Sequence, residues 1–196
     1  KQQQAHILQS WAWGEVKKDN WNPSRLKISN EGHDFVVTIL EKVLLKGIVR
    51  FGYIPKLQLP EGKEQQIVES IERWSQLQKL DFLVFEFDTF KKRFVIPKSL
   101  KVTNEETFQP NYTSIVVLED FEDEAALEKN IKAKFRRNYR KARKHGLEIE
   151  RFNNKDAPVE ELSKILEATS KRKNFLTKTG NYLDRVWKEL WKEGLV

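Results

Sequence analysis

Two runs of β-branched and aromatic residues, Phe35 to Leu44 and Ile48 to Ile54, are separated only by Leu45-Lys46-Gly47. So short a connection commits the two runs to an antiparallel hairpin. Pro55 and Pro60 end the second run, because proline has no N–H to give a ladder. The next segment narrows the choice further. From Glu61 to Leu80 the apolar residues Ile67, Ile71, Trp74 and Leu77 recur at helical spacing, which reads as an amphipathic helix. Asp81 to Asp88, DFLVFEFD, is too short and too rich in Val and Phe for a helix and reads as a buried strand. The class expected is therefore α/β or α+β.

The flanks follow the same alternation. Residues 7–18 read as a short helix with aromatic anchors, weakened by Gly14, and Trp21, Pro23 and Ser24 mark a turn. The mixed stretch from Phe90 to Pro110 is the expected connector between subdomains, 1–110 and 111–196. Beyond it, Tyr112 to Leu118 and Leu147 to Phe152 read as strands, and Asn153 to Pro158 as a loop. Asp123 to His145 reads as one long helix with Leu127, Ile131, Phe135, Tyr139 and Ala142 on one stripe. Gly146 follows as its cap. Val159 to Phe175 and Tyr182 to Trp191 are two more helices.

A length of 196 residues with 39% hydrophobic and 11% aromatic side chains excludes a disordered chain. No apolar run reaches the roughly 18 residues of a membrane span. Without cysteine there are no disulfides, thiolate nucleophiles or cysteine-bound metals. Three scattered histidines (His6, His33, His145) give no metal set, so no metal and no cofactor are expected. The start, Lys-Gln-Gln-Gln, lacks the apolar core of a signal peptide, which makes a cytoplasmic setting the default. Methionine is absent even at position 1, so the chain is expected to be a piece of a longer one. Neither GxGxxG nor GxxxxGK[ST] nor GxSxG occurs, and this removes the usual nucleotide-binding and hydrolase readings.

Net charge is +7, from 36 basic and 29 acidic residues. The excess is local. Lys129 to Gly146 carries nine Lys or Arg and no acid, whereas Glu119 to Glu128 carries six acids. Lys132, Arg136, Arg140, Arg143 and Lys144 lie away from the apolar stripe and form a cationic face. Such a face is either solvated surface complementing the helix dipole or a phosphate-binding surface. RNA, a nucleotide diphosphate and an anionic membrane surface all fit the latter.

Two more segments carry candidate chemistry. In Gln9-Ser10-Trp11-Ala12-Trp13-Gly14-Glu15-Val16-Lys17, the lysine one turn past an aromatic anchor projects as a point charge. Thr169 to Phe175, TSKRKNF, ends a helix with cations that complement the dipole.

Five pieces of the chain together resemble the Fem-type (FemABX) peptidoglycan-bridge aminoacyltransferases. They are Gln9-Ser10-x-x-Trp13-Gly14-x-x-Lys17, Tyr53-Ile54-Pro55, Gln109-Pro110-x-x-Thr113, the helix Phe135 to Gly146, and Thr169-x-x-Arg172-x-x-Phe175. Lys56-Leu57-Gln58 departs from the Arg-Gly-Pro that often follows Tyr-Ile-Pro in the family. The resemblance implies tandem acetyltransferase-like (GNAT-like) domains, the second incomplete here. It also implies transfer of an amino acid from aminoacyl-tRNA to the stem-peptide amine of a peptidoglycan precursor, which is aminolysis of an activated ester. Substrate contacts are implied for Lys17, Arg172, Trp13 and Tyr53, with Lys17 and Arg172 on the diphosphate. Glu86 is implied as the group that accepts the amine's proton, and the basic face as the tRNA contact. The muramyl-peptide precursor is UDP-linked or lipid II, and the latter implies contact with the inner face of the plasma membrane. A non-catalytic RNA-binding module and a GNAT-type N-acyltransferase using another donor are the alternatives.

Overall fold

A computed structural model describes residues 6–30, 32–89, 95–103, 107–110, 112–152, 157–178 and 180–196. The chain divides into two compact units, Lys1–Gln109 with Asn154–Val196, and Pro110–Asn153.

The first unit is built on a four-stranded sheet of order β1-β2-β3-β4: β1 (Asn22–Asn30), β2 (His33–Leu44), β3 (Val49–Leu57) and β4 (Phe82–Phe87). The first three strands are antiparallel neighbours, and β4 joins β3 in parallel after the crossover helix α2 (Glu64–Leu77). The Leu45–Gly47 connection is the expected hairpin, with Leu45, Lys46 and Gly47 all at positive φ. β1 falls where a turn was expected. Only Leu26 and Ile28 mark its inner face, and as an edge strand it tolerates Pro23. β4, expected to be buried, is the opposite edge and is only half-buried.

Side chains alternate across the pleat. Val37, Ile39, Ile54 and Leu57 meet Ile67, Val68 and Ile71 of α2 in the core, with Leu83, Phe85 and Phe87 packed against it. An added Cβ at Gly52 would lie 2.8 Å from Leu80 and Leu83 side-chain carbons, so this part of β3 has no room for a side chain.

The other face carries α1 (Trp11–Lys17), whose start is fixed by an unusual substitution for a ladder bond. The β2–β3 register runs from Leu44↔Val49 to Leu40↔Tyr53, and two residues further on it would set Thr38 against Pro55. Pro55 has no N–H, and the Gln9 side chain fills the rung instead. Gln9 Oε1 accepts from Thr38 N at 2.9 Å, and Gln9 Nε2 donates to Pro55 O at 2.6 Å. Ser10 then caps α1 by accepting from Trp13 N at 3.1 Å.

Helices α5 (Val159–Lys173) and α6 (Gly180–Lys192) belong to this unit because α6 lies along α1 and α5 lies against α6. The two helices approach closely at Gly180, where a Cβ would come 2.9 Å from Ser163 Oγ.

In the second unit the single helix expected from Asp123 to His145 is two: α3 (Glu124–Asn130) and α4 (Ala133–Lys144). Ile131 and Lys132 are extended, and the chain folds back. Arg136 Nη1 donates to Lys129 O at 3.1 Å, placing a cation on the carbonyl end of α3. Gly146, at φ 64°, ends α4 as expected. The segments 112–117 and 147–152 are not strands. Ile115, Val116, Leu147 and Ile149 are exposed, with no ladder neighbour among the described residues to pair an extended segment. Parts of the 90–110 connector and of the 153–158 loop lie outside the described residues.

Candidate functional site

α1 presents Lys17 from its last turn, where a cation complements the helix dipole. The ammonium sits 4.5 Å from the Trp13 ring centroid, one turn back, and donates to Tyr182 Oη of α6 at 3.3 Å. Burial between these rings pushes the Lys17 pKa down. Burial pushes Tyr182 up, opposed by the nearby charges of Lys178 and Arg185. Arg185 also pairs with Asp19, a second tie between the end of α1 and α6.

Gly14 has a physical reason to interrupt this helix. A Cβ there would lie 2.5 Å from Arg25 Nη2 and 3.2 Å from Pro23 Cβ. The Arg25 guanidinium stacks 3.7 Å from the Trp11 ring and donates to Glu15 Oε1 at 2.6 Å and to Trp11 O at 3.2 Å. The glycine makes room for a β1 arginine to clamp α1.

On the same sheet face, β3 and β4 bring Tyr53 and Glu86 together. Tyr53 Oη donates to Glu86 Oε2 at 2.5 Å, while Glu86 Oε1 accepts from Phe108 N at 2.6 Å and Gln109 N at 3.2 Å. Burial first, and then the Glu86 carboxylate, push the Tyr53 phenol well above its usual range. The carboxylate thus ties the Tyr-Ile-Pro strand to the Gln-Pro segment. The Tyr53 ring lies 4.7 Å from the ring of Phe108 and 6.1 Å from that of Trp21, and Phe51 extends the row. Beside it opens a cleft of about 700 Å³ whose lining includes Trp21, Glu41, Lys42 and Arg50. Glu41 is nearly buried, accepts from Ser24 Oγ, and lies 4.0 Å from Arg50.

Of the expected substrate residues, then, Lys17 meets Trp13, and Tyr53 meets Glu86. Arg172 stands exposed in the last turn of α5, which Asn174 ends in the left-handed conformation, and it makes no contact with Lys17 among the described residues. Tyr182, Arg25 and Phe108 belong to none of the sequence motifs for the site, and Trp21 reads from sequence as a turn residue. The recurrence of Trp and Tyr near lysines marks Trp21 and Tyr182 alone.

The five cations expected on one face divide differently. Arg140 Nε bonds Glu128 Oε1 at 2.5 Å, Arg143 lies 3.8 Å from Glu124 Oε1, and Tyr139 also bonds Glu124. With Arg136 on the α3 carbonyls, three of the five are turned onto α3. Lys132 and Lys144 are exposed and free of ion pairs among the described residues.

No helix among the described residues is long and apolar enough to cross a membrane. The fold is similar to that of a crystal structure of FemX, with a TM-score of 0.69 and 18% identity, covering 96% of this chain and 50% of that one. The chain therefore spans about half the length of that protein. No curated protein matches. A sequence model of the FemAB family matches residues 87–193, more than half of the chain, from β4 through α6. The chain belongs to the FemAB family.

Proposed function

We propose that the chain serves a transferase of peptidoglycan synthesis that moves an amino acid from aminoacyl-tRNA onto the stem-peptide amine of a muramyl-peptide precursor. The FemAB family match over residues 87–193 carries this reading. The reaction is aminolysis of an ester: the neutral amine attacks the carbonyl, and the ribose oxygen leaves with the pair from the broken C–O bond. Positioning and charge stabilisation supply most of what such a reaction needs.

Lys17 is proposed to hold a precursor phosphate as a half-buried point charge, with Trp13 and Tyr182 keeping it in place. Arg172 is proposed as the second, exposed cation for that diphosphate. Glu86 has a double assignment. Three donors occupy its oxygens, and a carboxylate has about four lone-pair sites, so one remains to accept a proton from the attacking amine. Its anchoring of Tyr53 and Phe108 then fixes the direction of that site.

The deciding experiment is thermal stabilisation by a UDP-muramyl-pentapeptide, against acetyl-CoA, for the wild type and Lys17→Ala. A shift with the muramyl-peptide that the variant loses supports the reading. A shift with acetyl-CoA alone replaces it by an acyl-CoA-dependent transfer.

A further inference from the structure

We propose that α4 grips an RNA phosphodiester backbone along one ridge, Lys134, Arg137, Lys141 and Lys144, while Glu124 and Glu128 of α3 close the adjoining face to phosphate. The inference rests on the aminoacyl-tRNA reading and assigns its contact to a ridge that keeps only Lys144 of the five residues the sequence suggests.

The fold-back of α3 onto α4 divides the cations into two sets. Arg136, Arg140 and Arg143 face α3, where a carbonyl end and two carboxylates take them up. At about 100° per residue the other four fall within a sector of about 80°. All four are exposed and make no ion pair among the described residues. Like charges at i,i+3 and i,i+4 repel each other, and no acid on α4 relieves them. A polyanion does. Ten residues separate Lys134 from Lys144, about 15 Å of helix. Phosphates recur every few ångströms along a nucleic-acid strand, so the ridge spans several of them.

The placement of the apolar side chains favours RNA over a bilayer. A membrane-surface helix lays its apolar face into the lipid with its cations flanking. Here Phe135 and Ala142 lie about 130° round α4 from the ridge, so a bilayer could not take both at once. The carboxylates of Glu124 and Glu128, beside the arginine face, repel phosphate there and leave the ridge as the open approach.

The test is binding of the whole chain to an unmodified tRNA transcript, by fluorescence anisotropy over a salt series, with circular dichroism confirming that each variant keeps its helices. Lys134→Glu with Lys141→Glu should weaken binding at least tenfold and lower the log–log salt slope by about 1.5, at roughly 0.7–0.9 per lost contact. Lys134→Gln with Lys141→Gln should lower the slope equally and serves if charge reversal unfolds α4. Arg140→Ala with Arg143→Ala should leave the slope unchanged. Glu124→Gln with Glu128→Gln should steepen it, because two arginines become available to phosphate. RNA binding by the wild type with a slope that the ridge variants do not alter overturns this inference and leaves the tRNA reading standing. No RNA binding by the wild type overturns both, and adsorption to phosphatidylglycerol vesicles instead would assign the ridge to lipid.

Discussion

Tyr53 on β3 donates its phenolic hydrogen to Glu86 on β4, a diagonal contact across two parallel strands that places both side chains on the face opposite α2. Because Phe108 and Gln109 donate to the same carboxylate, the chain leaving the sheet is tied to it through one acidic residue.

Removing the hydroxyl with Tyr53→Phe should cost about 1.5–3 kcal/mol at pH 7, the usual worth of a hydrogen bond to a charged group. The pH dependence has a definite sign. The folded phenol keeps its proton above the pH near 10 at which an unfolded tyrosine releases it. Its contribution is therefore complete below pH 10 and is lost as the pH rises beyond, at up to about 1.4 kcal/mol per unit. Urea unfolding from pH 8 to 11 should show the wild type converging on Tyr53→Phe only above pH 10. A constant gap throughout would rule out the phenol.

Lys17 is expected to trade stability for binding. Its charge is carried in a half-buried place that burial disfavours, so Lys17→Met should raise the urea midpoint at pH 7. The same change should weaken binding of a UDP-muramyl-peptide about tenfold or more, the worth of a charge-assisted contact of about 1.5–3 kcal/mol. Calorimetric titration beside the unfolding curve reads both, and a Lys17→Met variant that binds as well as wild type refutes the phosphate role.

Gly14 and Arg25 should be strongly coupled. Gly14→Ala should cost about 1–3 kcal/mol by crowding the guanidinium. In an Arg25→Ala background much of that penalty should vanish, leaving the usual helix preference for alanine of about 1 kcal/mol. A double-mutant cycle at equilibrium measures the coupling directly.

Gln9→Ala should be among the more costly changes at a residue that is itself only half-buried. It orphans the Thr38 N–H in a residue that is 1% exposed, at about 1–3 kcal/mol, and it also releases Pro55 O. Hydrogen exchange should locate the loss at Thr38, and protection of Thr38 that survives the substitution would deny Gln9 its place in the ladder.

The hairpin, α2 and β4 were legible because each rests on its own local pattern: β-branched runs about a three-residue turn, and Ile67, Ile71 and Trp74 at helical spacing. β1 was not, since Asn22 to Asn30 has only Leu26 and Ile28 to advertise a strand, and its pairing with β2 supplies the rest. The break at Ile131 was hidden for the opposite reason. The apolar stripe runs through it without a glycine or proline, and only the recovery of Glu124 and Glu128 by residues 12 to 19 positions later explains the fold-back. Lys17, Trp13, Tyr53 and Glu86 could be named from motifs, but Tyr182 and Phe108 join them only through tertiary approach.

The Gln9 rung has a mechanical consequence. The turn just ahead of α1 is wedged between β2 and β3 by the Gln9 side chain, and the far end of the helix is fastened to α6 through Tyr182 and Arg185. With both ends held, the helix acts as a rigid strut. Any displacement of α6 is then delivered to a rung where β2 and β3 have lost their direct ladder, and from there to Tyr53, two residues along.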